Sequence, residues 1–210
     1  MNANPYPIEI EPVDISAYKE GNTGVPYATT FDSGTPGTHV MVMALTHGNE
    51  LCGAITLDYL LRHDIRPTQG KLTFGFHNVA AYATFDPNDP IASRFVDEDL
   101  NRVWGLDVLD GDRDTLETRR AREMRPLIDT VDLLLDIHSM TNDSPALTLC
   151  GPLDKGRDLA LALKSPTYVV ADAGHAAGTR LRDYGGFGNP AAPQNALLVE
   201  AGQHWRADAV

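Results

Sequence analysis

HVMVMALTHGNELC, residues 39–52, joins two kinds of local pattern and decides how the chain around it is read. Val40 to Leu45 is an apolar run of the length and composition of a strand buried on both faces. It stops on the polar turn Thr46-His47-Gly48-Asn49-Glu50. From Leu51 the spacing becomes helical, with Leu51, Ala54, Ile55 and Leu57 to Leu61 forming an apolar stripe, so a helix is expected from about Leu51 to Arg62. A strand that ends in His-Gly-x-Glu and opens a helix sets two metal-binding side chains at the carboxyl edge of a sheet, where open α/β folds bind ligands. Taken alone, His47 and Glu50 read equally as members of a solvated turn.

Working outward, Pro67 and Gly70 precede Leu72-Thr73-Phe74-Gly75-Phe76, a further strand. Two strands joined by one helix make a βαβ unit with a parallel pair and a right-handed crossover. Residues 6 to 15 alternate through Ile8, Ile10 and Val13 and read as an edge strand, and 25 to 31 read as another. Asp114 is placed to cap a helix through Arg125, with Glu117 at the third position after it and Pro126 ending or kinking it. Val131 to Ile137 is the most apolar later strand. Leu147 to Cys150, Thr167 to Ala171 and Asn195 to Glu200 are further strands, Leu153 to Lys164 is a helix, and Gln203 to Val210 has the look of first helical turns. The fold class is α/β.

Length and composition narrow the functions open to such a fold. The chain has 210 residues, one domain by size, enough to bury roughly 70% of its unfolded surface without disulfides. Its two cysteines, Cys52 and Cys150, each lie beside an apolar run and belong to no C-x-x-C pair, which points to reduced, buried thiols. With 17 Lys plus Arg against 29 Asp plus Glu, the net charge of -12 disfavours nucleic acid and anionic membrane as partners. The start has no basic leader, and nowhere do about 18 apolar residues run together. A cytoplasmic location is the expectation. The ending at Val210, without a closing polar segment, suggests a catalytic domain cut from something longer.

A second chemical candidate is Asp136-Ile137-His138-Ser139 at the end of the strand from Val131. Residues two apart on a strand face the same way, so Asp136 and His138 share a side. A parallel sheet would bring His138 to the edge that carries His47 and Glu50. Ligands of the His, Glu, His type leave a fourth zinc position open, as catalytic sites do. A carboxylate beside a ligand histidine commonly fixes its tautomer, and Asp136 could do so for one of the two imidazoles. Without the first pair, His138 reads as a partly buried histidine held by backbone hydrogen bonds.

The third stretch, Arg94-Phe-Val-Asp-Glu-Asp99-Leu100-Asn101-Arg102, falls in an irregular region from Asn78 to Leu109, long enough to be functional rather than a mere connection. Together, His47-Gly48-Asn49-Glu50, Arg94 with Asp99-Leu100-Asn101-Arg102, Asp136-Ile137-His138 and Val199-Glu200-Ala201-Gly202 resemble, in order, the succinylglutamate desuccinylase and aspartoacylase family. These are zinc amidohydrolases related in fold to the zinc carboxypeptidases. The resemblance implies a three-layer α/β/α domain over residues 1–210 with a mixed, mostly parallel central sheet, zinc carboxypeptidase-like (phosphorylase/hydrolase-like). The family's C-terminal β domain is apparently absent.

Carried over residue by residue, the resemblance implies one zinc ion per chain held by His47, Glu50 and His138. Glu200 would be the general base, Arg94 would stabilise the oxyanion, and Asn101 and Arg102 would grip a carboxylate of a small anionic acyl amino acid. Glu200 also stands out by itself, since a carboxylate at the end of an apolar strand is costly unless paired or functional. Against these roles, Asp99 and Arg102 could pair on a surface turn, and Asn101 could be a turn residue. His39 falls at the wrong edge, His63 at a helix end, His77 and His175 near the cleft, and His204 at the start of the last helix, and no motif recruits them. Arg180 or Arg182 could hold a distal acyl carboxylate.

The activity so implied is zinc-dependent hydrolysis of an amide in a small N-acyl amino acid or related amide. A metallocarboxypeptidase would need an open groove for peptides. A non-catalytic zinc- or small-molecule-binding domain would be expected to lack Glu200 or a ligand. A homo-oligomer is left open.

Overall fold

The computed structural model describes residues 6–210; the opening MNANP, part of the start read as lacking a leader, lies outside them. Seven strands form one sheet: β1 (Ala28–Asp32), β2 (His39–Ala44), β3 (Lys71–Phe76), β4 (Leu133–Met140), β5 (Leu147–Leu149), β6 (Tyr168–Val170) and β7 (Asn195–Gln203). Their order is β1-β3-β2-β4-β7-β5-β6. The middle four, β3, β2, β4 and β7, are mutually parallel, while β1 and β5 add on antiparallel at either side and β6 runs parallel to β5. Five helices, α1 (Leu51–Arg62), α2 (Val79–Tyr82), α3 (Leu106–Leu109), α4 (Leu116–Ile128) and α5 (Asp154–Leu163), cover it.

The alternation of β2 sorts the layers. Met41 and Met43 face a core filled from α3 and α4 by Val108, Leu109, Ala121, Met124 and Ile128. Val42 and Ala44 face the other side, where α1 buries Leu51, Ala54 and Leu57 against Phe74, Phe76 and Ile137. Ala160 of α5 packs with Leu197 near Leu135, a residue that also touches the α1 core, so α1 and α5 share a face. This is the expected three-layer α/β/α arrangement. Among the described residues no helix is long and apolar enough to cross a membrane.

Several boundaries differ from the sequence reading. Residues 6 to 15 join no ladder; Ile8, Ile10, Val13 and Ile15 pack on the α1 core, and the Glu9 amide is bonded to the Trp205 carbonyl at 2.9 Å. Pro7 and Pro12 lack the donors that a strand there would need. The cap of α4 is Thr115, in a reciprocal box with Thr118, whereas Asp114 pairs with Arg119 at 2.7 Å. Pro126 sits within the final turns of α4, which continues to Ile128. β4 and β7 both run three residues beyond the apolar segments that announced them, so Gln203 ends a strand, and the expected last helix is only a single 3-10 turn, Ala207–Ala209.

Candidate metal centre

β2 ends at Ala44, and the chain then turns through Leu45, which takes the left-handed conformation at φ 62° with its side chain fully buried. That conformation is rare for a bulky residue and concentrates at functional sites. Gly48 follows at a close approach: a Cβ there would lie 2.4 Å from both the Ala81 carbonyl carbon and the Ser93 carbonyl oxygen. The Gly48 amide donates to the Arg94 carbonyl at 3.1 Å, so the turn and the arginine loop touch through backbone at this point. Glu50 immediately precedes α1.

His138 arrives on β4, and Glu200 is its register partner on β7. Cross-strand partners project to the same side of a sheet, so both side chains enter one cavity at the carboxyl edge. There His47 Nδ1 is 2.7 Å from Glu50 Oε1 and His138 Nδ1 is 2.9 Å from Glu50 Oε2. All three ligand atoms lie within 4.8 Å of one another. The far nitrogens are occupied: His138 Nε2 meets Asp136 Oδ2 at 2.8 Å, and His47 Nε2 meets Asp99 Oδ1 at 2.9 Å. Carboxylates at Nε2 hold the proton there and leave both Nδ1 lone pairs facing inward.

The donor set fits a cation. Glu50 Oε2 is buried and makes no well-formed hydrogen bond even though His138 Nδ1 is 2.9 Å away, a convergence of atoms that a hydrogen bond does not account for. Burial opposes charge on Glu50, yet the two histidines hold its carboxyl well below the usual range. Burial likewise pulls His138 down, but Asp136 and Glu50 raise it well above the ordinary imidazole value. Positive charge is thus favoured in the space the three side chains enclose.

Glu200 Oε2 is also buried without a partner. Burial pushes its carboxyl up to about 7, opposed by His138 and reinforced by Glu50. Arg94 places Nη2 3.0 Å from Asp99 Oδ2 and 2.9 Å from His47 Nε2, and Arg102 Nη2 is 3.5 Å from the same Asp99 oxygen. Asn101 is buried, its Oδ1 accepting from the Leu181 amide at 2.9 Å. These residues and Arg180 line a cavity of about 170 Å³.

Every expected site residue except Asp136 therefore lines one cavity, and Asp136 lies directly behind His138. Of the two later arginines, Arg180 lines this cavity, held by Asp172 at 2.6 Å. Arg182 lies instead in a separate, larger cavity of about 410 Å³ with His175, lined by none of the His-Glu-His group. His77 does not line the cleft; it is buried beneath it, with Nδ1 3.1 Å from Thr46 Oγ1. His204 follows β7 and begins no helix, and its ring joins Ser139 and Thr141 at 2.8 and 3.1 Å. His39 bonds Thr73 and Thr130 away from the site, and His63 is exposed at the end of α1.

Asp99 is the residue the sequence reading undervalued. It is no surface-turn partner of Arg102 alone, because it joins His47 to both arginines. Its carboxyl is held well below the usual range, since the His47 hydrogen bond and the two guanidiniums outweigh burial. Its place within Asp99-Leu100-Asn101-Arg102 was the available signal.

Residues 36–204 match the family described as succinylglutamate desuccinylase/aspartoacylase catalytic domain. Among curated proteins, mouse (Mus musculus) aspartoacylase is 29% identical over 117 residues, 51% of this chain and 36% of the relative. The rat (Rattus norvegicus) N-acyl-aromatic-L-amino acid amidohydrolase (carboxylate-forming) is 31% identical over 123 residues, 53% of this chain and 36% of the relative. The chain thus covers little more than a third of either curated relative. Succinylglutamate desuccinylase from Chromobacterium violaceum shares the fold at a TM-score of 0.64 and 17% identity, over 85% of this chain and 57% of that one.

Proposed function

The chain belongs to the succinylglutamate desuccinylase/aspartoacylase catalytic-domain family, and from that premise we propose that it is a zinc-dependent hydrolase of the amide bond in a small N-acyl amino acid. The observation that carries the proposal is Glu200, a half-buried residue with one buried, unpartnered carboxylate oxygen, raised to about 7 and set in register with His138 beside the His-Glu-His group. His47, Glu50 and His138 would hold zinc, a metal suited to two imidazoles and one carboxylate with a coordination position left open. When bound, it would supply Lewis acidity and make water acidic enough to react near neutral pH.

The remaining chemistry belongs to the side chains. Glu200 Oε2 takes the proton of the attacking water and returns it to the leaving amine nitrogen, a task suited to a carboxyl poised near 7. Arg94 donates from its guanidinium to the oxyanion that develops on the amide carbonyl, an interaction worth roughly 3 to 4 kcal/mol per donor in comparable sites. Asn101 and Arg102 grip the substrate carboxylate, with the planar fork of Arg102 matching a planar anion. Asp136 keeps His138 in the ligating tautomer. Residues 1–210 are read as the catalytic domain.

The cavity of about 170 Å³ favours a small acyl amino acid over a peptide held in an open groove. The partnerless oxygen of Glu200 favours a catalytic site over a closed structural zinc site. The test is a Glu200→Gln variant assayed over a panel of N-acetyl amino acids. It should bind one zinc per chain as wild type does while turnover falls by about a hundredfold or more. Turnover within twofold of wild type would remove Glu200 from the reaction.

A further inference from the structure

The residues assigned to the substrate anion sit on an irregular loop, 94–102, which no strand ladder holds. Apolar packing anchors its far end through the fully buried Leu100 but not its first half, where Phe95 and Val96 are 38% and 40% exposed. The backbone of residues 96–98 is held by one carboxylate. Glu117, the second residue of α4, is 0% exposed. Its Oε1 accepts from the Val96 amide at 2.7 Å and from Asn78 Nδ2 at 3.1 Å. Its Oε2 accepts from the amides of Asp97 and Glu98 at 3.1 and 3.2 Å.

The loop answers in kind. Asp97 Oδ2 accepts from the Leu116 amide at 2.8 Å, and Glu98 Oε1 accepts from Thr115 Oγ1 at 2.8 Å, so the loop caps the helix that holds it. The contact to Asn78 reaches the other half of the site. The Asn78 amide donates to the Leu45 carbonyl at 2.7 Å, two residues before His47. One buried side chain therefore ties the arginine loop to the strand end from which the metal-binding turn departs.

We propose that Glu117 is a positioning residue: its carboxylate sets the arginine loop against the metal-binding turn, and so fixes the placing of Arg94, Asn101 and Arg102 relative to His47 and Glu50. The proposal rests on the reading of those three residues as anion-binding. Each of the four contacts donates an N–H, and a carboxylate alone among side chains accepts all of them with two oxygens.

The test is Glu117→Gln, whose amide nitrogen must face an N–H in either orientation. Zinc affinity, measured by calorimetric titration, should stay within about twofold, because the ligands are untouched. Hydrogen exchange of the 96–98 amides should accelerate by at least about tenfold while β2 and β4 keep their protection. With N-acetylglycine as substrate, KM should rise by about tenfold, whereas the KM of its methyl ester should change little. A milder variant, Asn78→Ser, keeps the acceptor that caps α2 and removes only one of the four donors, so it should give the same pattern at about threefold and serves if Glu117→Gln does not fold.

Unchanged exchange at 96–98 in a folded variant would overturn the proposal, as would equal loss of kcat/KM for acid and ester with KM unmoved. The exchange measurement requires no turnover, so an inactive wild type would count against the hydrolase reading and leave this test intact.

Discussion

Glu200 and His204 show how burial, as the largest cause, tunes two titratable groups that flank one site in opposite senses. Glu200 is pushed up to about 7, which leaves it able both to take and to give a proton near neutrality. His204, four residues on, is pushed down to about 4 chiefly by burial and stays neutral between Ser139 and Thr141. The consequence for stability has a definite sign. The unfolded chain takes up a proton on this histidine below about pH 6.5 and the folded chain does not, so stability falls as pH drops from about 6.5 towards 4. Between pH 7.5 and 5 the loss should be about 2 kcal/mol by this linkage. Urea unfolding of wild type and His204→Gln at the two pH values measures it, and the variant should show a smaller decline by that amount; parallel declines would refute it.

At the scale of an element, the metal-binding turn depends on backbone proximity more than on side-chain packing. Leu45 turns the chain through a conformation that costs about 1 to 3 kcal/mol for a residue of its kind, stabilised by its buried side chain and by the Asn78 amide on its carbonyl. Gly48 then admits the backbone of α2 and of the 92–94 turn to contacts that any Cβ would fill. Gly48→Ala should therefore destabilise the fold by about 1 to 3 kcal/mol and weaken zinc binding as well, because the turn carrying His47 has to move. Chemical denaturation together with zinc titration checks both. An alanine variant with wild-type zinc affinity would show that the close approach does not set the ligand geometry.

Across the whole molecule, the three side chains proposed to hold zinc come from the loop after β2, the start of α1 and the interior of β4, so they meet only when the central parallel strands are paired. An ion bound there should stabilise the native state by mass action, by about 2.7 kcal/mol at a free concentration 100 times its dissociation constant. Zinc should raise the thermal midpoint, a chelator should reverse the rise, and His138→Ala should abolish it. A zinc-induced shift that survives His138→Ala would place the ion elsewhere. The global charge of -12 makes the three arginines of the cavity the more telling, because the proposed anionic substrate would have to be drawn in by local cations against the field of the whole protein.

Much of this was legible from residues close together in the chain. The strand, turn and helix of 39–62, the parallel pairing of β2 with β3 and the facing of Asp136 with His138 follow from hydrophobic period and strand geometry, both of which act over a few residues. His138 and Glu200 were legible because each closes an apolar run, and His47 and Glu50 because they stand between a strand and a helix; their joint role came only from the resemblance to the family. The tertiary structure alone decided what depends on contacts between distant segments. It put Arg180 and Arg182 in different cavities, made Asp99 the partner of His47 from 52 residues away, and gave Glu117 a loop 19 to 21 residues distant to hold. It also carried β7 past Glu200 to Gln203, since a ladder continues wherever its neighbour offers partners, whether or not the side chains stay apolar. Local pattern records which face of an element is buried, but a polar side chain's partner is settled only when folding brings the two together.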